Sequence, residues 1–249
     1  MQIKTDGIVI KQQKINDNDR YLTILTRDNG VIRAYANSVC GIKSKMCSST
    51  SLMSYSDFVI NESKGNFRVV SADLKKAFFN VGSDLSKVSL ASYLLEVTSV
   101  IGVSDSSCAE LLRLLLNTLH FIEQGTVDIF VLKSIFELRS LALCGFAPQV
   151  AVCCQCSEYT DEKMRFSIKT GEIVCDSCFT EYQEKSATRE LTPDALKAVR
   201  FMVFAELKDV FKLKLSPQLA KYVTTITEDY CRFQLEKQFN TLNFFYSVI

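Results

Sequence analysis

Apolar and polar positions alternate with period two through residues 3 to 73, in short runs rich in β-branched and aromatic side chains. The runs are Gly7 to Lys11, Tyr21 to Arg27, Val31 to Ala36, Met53 to Ile60 and Phe67 to Asp73. Each predicts a half-buried strand. Turn-forming residues separate them: Asn16-Asp-Asn-Asp19, then Asp28-Asn-Gly30 and Lys64-Gly-Asn66 as tight hairpins. Five strands with one long loop from Asn37 to Ser51 predict a small closed barrel of the OB type; an SH3-like barrel is the competing arrangement.

From Leu74 the period changes to 3.6. Ser83 or Asp84 caps a helix carrying Leu85, Val88, Leu94, Leu95 and Ile101, and Ser106 caps a second carrying Leu111, Leu112, Leu115, Leu119 and Ile122, stopped by Gly125. A third starts at Thr126 and ends before Gly145 and Pro148. Thr192-Pro193 and Ser216-Pro217 each read as a cap followed by a proline at the first helical position, opening helices through Val203 and roughly Gln238. Broad apolar faces require these helices to pack as a bundle.

Composition narrows the class. The 249 residues are 47% hydrophobic and 23% charged, an ordinary globular balance that excludes a disordered or collagen-like chain. Neither a run of about 18 apolar residues nor a signal-peptide pattern occurs, so the expected location is the cytoplasm, with no membrane partner. Ten cysteines there are expected as thiols serving packing, metal or catalysis. Cys108, Cys144 and Cys231 fall within helices and are expected as small buried groups. The single histidine, His120, excludes a multi-His metal site and disfavours a Ser/His/Asp or Cys/His catalytic set. The net charge of +1 hides an asymmetry: residues 1–80 carry twelve basic against seven acidic side chains, net +5, leaving −4 for the rest. A polyanion, if bound, belongs on the N-terminal part.

Alternation sorts the barrel faces. Val31, Arg33 and Tyr35 oppose Ile32, Ala34 and Ala36, while Tyr21, Thr23, Leu25 and Arg27 oppose Leu22, Ile24 and Thr26. The first set of each strand combines an aromatic ring with arginine, the pairing that lets single-stranded nucleic acid stack a base beside a phosphate contact. Arg20, Arg27, Arg33, Lys43, Lys45 and the Tyr35 platform are the candidate DNA contacts. The plainer alternative is that the rings half-cover the barrel beside solvated arginines. The Asp17-x-Asp19 pair reads as turn chemistry rather than a metal site.

Cys153-x2-Cys156 and Cys175-x2-Cys178 are separated by eighteen residues, and Met164 to Ile168 with Glu172 to Val174 predict a hairpin around Lys169-Thr-Gly171 that unites them. Two such knuckles supply the four thiolates of a closed structural zinc site, so one structural Zn2+ is expected on Cys153, Cys156, Cys175 and Cys178. A swap of Cys154 for Cys153 stays open. Redox dithiols are the weaker alternative, because a thioredoxin-type motif occurs singly beside a βαβ pattern. The predicted fold is therefore α+β: an OB-fold barrel over residues 1–80 and a helical domain over 81–249, with a four-cysteine, zinc-finger-like hairpin inserted at 150–182.

In this order the elements resemble the RecO family of DNA repair and recombination mediators. The matching stretches are Thr5-Asp-Gly-Ile-Val-Ile10, Asn18-Asp-Arg-Tyr-Leu22, Leu25-Thr-Arg-Asp-Asn-Gly30, Ala91-Ser-Tyr-Leu-Leu-Glu96, Phe136-Glu-Leu-Arg139, Gly145-Phe-Ala-Pro148 and Phe166-Ser followed by Gly171-Glu-Ile-Val-Cys175. Resemblance implies a non-enzymatic protein that binds single- and double-stranded DNA and anneals complementary strands. It also implies cooperation with RecR to replace single-strand-binding protein by RecA. Where the family usually carries several basic residues after the third strand, this chain has Asn37-Ser-Val-Cys-Gly-Ile42 before Lys43 and Lys45, which implies DNA affinity that is weaker or more dependent on RecR. The family also implies a pocket for the acidic, hydrophobic tail of single-strand-binding protein, with Arg139 the candidate grip for its carboxylate. The plainer alternative is that Arg139 merely covers the bundle surface.

No phosphate loop or dinucleotide fingerprint occurs, so no catalytic residue and no small-molecule substrate are expected. The rival readings are a zinc-ribbon nuclease, which needs converging carboxylates, and a protein-interaction adaptor whose barrel binds no DNA.

Overall fold

The computed structural model describes residues 1–39, 46–102, 108–159, 162–182 and 187–249. It falls into two compact units, residues 1–123 with 241–249, and residues 124–240.

In the first unit, β1 (Gln2–Lys14), β2 (Arg20–Thr26), β3 (Val31–Ala36), β4 (Ser54–Ser63) and β5 (Asn66–Ala77) close a barrel in the order β1-β2-β3-β5-β4. β1 pairs antiparallel with both β2 and β4, and β3 meets β5 in a short parallel ladder at Ala34–Phe67 and Tyr35–Arg68. Serving two neighbours makes β1 longer than the alternating run suggests, and a register shift between Val9 and Lys11 accommodates the curvature. Gly7 lies where strands crowd: a Cβ there would sit 2.6 Å from the Leu25 carbonyl oxygen. Inside are Val9, Leu22, Ile24, Ile32, Ala34, Ala36, Phe58, Ile60 and Val69, the inward set expected from period two.

The outer face departs from simple alternation at Leu25. It belongs to the outward set yet is fully buried, because helix covers that end of the barrel. α1 (Leu85–Ile101), capped by the Asp84 carboxylate, packs against β1, and Gly102 at its end lies so close that a Cβ would meet Val31 Cγ2 at 2.2 Å. Cys108, just before α2 (Ala109–Gln124), donates its backbone N–H to the Arg27 carbonyl. The expected cap at Ser106 lies outside the described residues. α8 (Asn240–Val248), which periodicity does not predict, has Leu242 and Phe245 buried, and the Glu96 carboxylate accepts from Thr241 N and Oγ1. α1, α2 and α8 fall in the same unit as the barrel, so the change of period near residue 80 is not where the packing units divide.

The second unit starts with α3 (Ile129–Leu143), capped by Asp128 rather than begun at Thr126, because the Asp128 carboxylate reaches the backbone N–H groups of Phe130 and Val131. A four-stranded sheet follows in the order β6-β8-β7-β9, from β6 (Gln149–Cys153), β7 (Met164–Ser167), β8 (Glu172–Cys175) and β9 (Thr188–Leu191). The predicted hairpin is β7–β8, and Gly171 closes it with φ 74° where a Cβ would strike the Tyr230 hydroxyl at 2.4 Å. A short helix α4 (Asp176–Phe179) carries Cys178. α5 (Pro193–Phe204) and α7 (Pro217–Gln234), joined through α6 (Leu207–Val210), have the expected Thr192 and Ser216 caps. Cys231 is buried within α7, whereas Cys108 and Cys144 are only partly covered.

α3 and α7 enclose a charged cluster. Lys133 Nζ, fully buried, donates to Glu137 at 2.7 Å and Glu228 at 2.9 Å, and Thr227 Oγ1 donates to the other Glu137 oxygen at 2.6 Å.

Candidate nucleic-acid interface and metal centre

On the barrel, the end of β2 and β3 left open by the helices faces the β4–β5 hairpin across a groove of about 1030 Å³, lined among others by Tyr21, Arg33, Tyr35, Asn61, Phe67 and Arg68. Tyr21 and Tyr35 are cross-strand partners whose rings meet edge to face, centroids 5.7 Å apart. The Arg33 guanidinium lies 4.7 Å from the Tyr21 ring centre and donates to Gln13 Oε1 at 2.9 Å. Arg68 is the register partner of Tyr35 on β5, and among the described residues no carboxylate pairs with Arg68 or Arg33. The groove thus combines ring faces with two cations that form no ion pair among the described residues, the chemistry that receives a base and its phosphate, although Glu62 also lines it.

Not every expected cation joins it. Arg27 forms a two-pronged pair with Asp6, both bonds 2.7 Å, and also reaches the Tyr55 hydroxyl. The guanidinium holds the Asp6 carboxyl down at about 2, and Asp6 in turn raises Arg27. Arg20 turns back onto its own loop, donating to the carbonyls of Asn16 at 2.7 Å and Asp19 at 2.9 Å. Lys43 and Lys45 lie outside the described residues. Strand alternation alone does not single out Phe67 and Arg68; the signal that finds them is the barrel order itself, which puts β5 beside β3.

The Asp17-x-Asp19 pair is turn structure, as expected. Asn16 Oδ1 accepts from the backbone N–H groups of Asn18 and Asp19, and Asp17 pairs with Lys14 at 2.9 Å.

In the second unit the sulfurs of Cys153, Cys156, Cys175 and Cys178 all lie within 4.8 Å of one another. Cys156 Sγ and Cys175 Sγ are 3.6 Å apart, and the Cys175 N–H donates to Cys153 Sγ at 3.4 Å. Cys154 points away from the cluster, exposed, with Gln155 Nε2 at 3.7 Å, so Cys153 is the member of the four. Burial acts to raise the Cys153 thiol, but backbone N–H groups of Cys156, Cys175 and Gln155 aimed at its sulfur outweigh that and bring it down to about 6. The Cys175 and Cys156 sulfurs push Cys178 up to about 12. Four sulfurs this close resist ionising together unless a cation sits among them; a metal ion removes the repulsion and takes all four as thiolates.

Arg200, which no sequence pattern singles out, anchors the strand leading into the first knuckle. Almost fully buried on α5, it donates to the carbonyls of Val150, Ala151 and Tyr159, each at 2.7 Å, and stacks 4.1 Å from the Tyr159 ring centre. Arg139 is similarly engaged, donating from Nε to the Met202 carbonyl at 2.6 Å and from Nη2 to that of Ala205, so it closes the C-terminal turn of α5. An apolar groove of about 540 Å³ on α5 is lined by Leu196, Phe201 and Phe204 but not by Arg139.

Comparison with known proteins covers nearly the whole chain. A family model described as "Recombination protein O N terminal" matches residues 1–78, and one described as "Recombination protein O C terminal" matches residues 82–243. The chain is 27% identical to the DNA repair protein RecO of Acetivibrio thermocellus over 242 residues, covering 97% of this chain and 95% of that one. It is also 27% identical to RecO of Alkaliphilus metalliredigens, over 97% and 98% of the two chains. With RecO of Caldicellulosiruptor bescii it shares 29% identity over 98% and 97%.

Proposed function

The chain belongs to the RecO family of DNA repair proteins, and from that premise we propose that it is a non-enzymatic recombination mediator. It binds single- and double-stranded DNA through a domain spanning residues 1–80, anneals complementary strands and, with RecR, helps RecA replace single-strand-binding protein in the cytoplasm. One observation carries the DNA-binding part: the open barrel groove in which Tyr21 and Tyr35 stand beside Arg33 and Arg68, cations without a paired acid among the described residues. Lys43 and Lys45 complete the proposed contact set. Arg20 and Arg27, engaged with protein oxygens, contribute to binding only by releasing those partners.

The helical domain over residues 81–249, with its cysteine-bearing insertion at 150–182, is proposed to hold one structural zinc ion and to dock partners. Zinc–sulfur bonds of about 2.3 Å place the sulfurs of a tetrahedron about 3.8 Å apart, which suits the cysteine spacing found here. When bound, the ion supplies charge neutralisation and a covalent-strength crosslink. The four cysteines fill its shell, and the Arg200 bonds fix the approach to the first knuckle. For the tail of single-strand-binding protein, Arg139 remains the proposed grip, provided that it can exchange an α5 carbonyl for the tail carboxylate.

Binding of a labelled single strand with and without magnesium tests the reading. Retention without cleavage is expected. Cleavage would favour the nuclease, and no binding in either condition would favour the adaptor.

A further inference from the structure

Tyr35 is useful as a stacking platform only if its ring is held ready, and the structure contains the device that holds it. Asp19, the last residue of the turn before β2, accepts from the Tyr35 hydroxyl through Oδ2 at 2.8 Å and from the Ser38 backbone N–H through Oδ1 at 2.8 Å. Oδ2 also accepts from Asn16 Nδ2 at 2.7 Å. Its own backbone is fixed in turn: the Asp19 N–H donates to Asn16 Oδ1 at 2.8 Å, and its carbonyl receives Arg20 Nη1 at 2.9 Å and the Ile15 N–H at 3.2 Å. Ser38 itself has φ 53°, a left-handed conformation uncommon for serine, and the bond to Asp19 ties down that residue at the exit of β3.

A tyrosine ring pivots about two side-chain torsions. Pinning its hydroxyl from a rigid turn removes that freedom before any ligand arrives, so a base meets a ring already set beside Arg68. The arrangement runs against simple electrostatics. A carboxylate beside a groove for polyanions repels the ligand, so its presence must be compensated by what it positions.

We propose that Asp19 is a positioning residue of the nucleic-acid groove, locking the Tyr35 ring and the Ser38 backbone into the geometry that stacks an unpaired base. This inference rests on the DNA-binding reading above, and it predicts the sign of an effect that the charge alone predicts the other way.

The test uses the full chain, isolated with its metal, and a fluorescent oligothymidylate at moderate salt. Asp19→Ala should weaken binding about two- to tenfold, the worth of one pre-ordered side chain. Tyr35→Phe, which keeps the ring and removes only its bond to Asp19, should weaken it by a similar factor. The double variant should be no worse than Asp19→Ala alone, because Tyr35→Phe removes only a hydrogen bond that Asp19→Ala has already removed. The salt slope should stay at the wild-type value, since every cation that meets a phosphate is still in place. Tighter binding by Asp19→Ala, or wild-type affinity in Tyr35→Phe, overturns the positioning role while leaving the DNA-binding reading intact. Additive effects in the double variant overturn it too. A wild-type protein that does not bind the oligonucleotide overturns both. Because Tyr35→Phe is nearly isosteric, it decides the question even if Asp19→Ala fails to fold.

Discussion

The two units differ in whether they bury charged side chains. In the barrel unit ion pairs sit at the surface, as with Arg27–Asp6 and Lys75–Asp57, and Arg33 and Arg68 line a groove without an ion-pair partner among the described residues, although Glu62 lines it too. The other unit has surface pairs as well, such as Arg189–Asp229, but it also takes charge inside: Lys133 and Glu137 are both fully buried, Arg200 nearly so, and four cysteine sulfurs converge. Barrel closure explains the difference. A sheet that pairs both edges of every strand around an apolar core needs no internal staple, so its polar groups are released for binding. Strands of four or five residues on an open sheet cannot bury enough apolar surface, and polar crosslinks supply what the core lacks.

The sharpest way to break this comparison is to remove the staple. Cys175→Ser, or a strong chelator, should unfold the cysteine-bearing sheet, with a loss approaching 10 kcal/mol of apparent binding free energy, while amides of the barrel keep their protection from hydrogen exchange. Elemental analysis should find one zinc per chain beforehand; less than about half an equivalent in protein never exposed to chelator counts against the site. If the barrel amides lose protection together with the sheet, the two units do not differ as argued.

Next in size is the buried lysine. Lys133→Met withdraws the ammonium from Glu137 and Glu228 and should cost about 3 to 5 kcal/mol in denaturant unfolding, with much of that recovered by adding Glu137→Leu. A loss below about 1 kcal/mol would make Lys133 no better buried than a surface charge.

The surface pair on the barrel should matter less, and its contribution should disappear in acid. Asp6 titrates at about 2, below an unfolded carboxylate near 3.9, so its stabilisation is fully present above the unfolded value and is lost as pH falls from about 5 towards 2. With Arg27 45% exposed, the contribution is at most about 2 kcal/mol and is reduced by solvent screening. Asp6→Asn should flatten that part of the acid unfolding profile; an unchanged profile would remove the pair from the account.

The smallest stability effect, near zero, should accompany the clearest binding effect. Arg33→Ala with Arg68→Ala should leave the barrel folded yet reduce the single-strand salt slope by about 0.7 for each phosphate left without its cation. Arg27→Ala should leave that slope unchanged, because Asp6 already holds its guanidinium. A slope that responds to Arg27 and not to Arg33 or Arg68 would move the interface along the barrel.

What could be read in advance follows physical range. The strand alternation of Val31 to Ala36, the proline-marked starts of α5 and α7 and the four cysteines are local signals, and each stands where the local pattern puts it. β6 and β9 escape prediction because, unlike the equally short β7 and β8, they are not joined by a glycine turn that marks a hairpin, and α8 because it is short and mixes polar with aromatic positions. The fate of Arg27 depends on its partner twenty-one residues away across a strand register, which composition cannot supply. Lys133, Arg139 and Arg200 look in sequence like the solvated face of a helix. Their burial is decided by segments packed on them from about 50 to 95 residues away, as with Glu228 for Lys133, Met202 for Arg139 and Val150 for Arg200.

The return of residues 241–249 to the first unit bears on how the protein is made. A nascent chain emerges from its N-terminus, so the barrel strands and the whole of residues 124–240, cysteine knuckles included, are available before Thr241 can reach Glu96. The first unit is begun early and finished last. Until Thr241 has emerged as well, the apolar surface reserved for Leu242 and Phe245 stays open to chaperones, although all four clustered cysteines of the second unit have already left the ribosome.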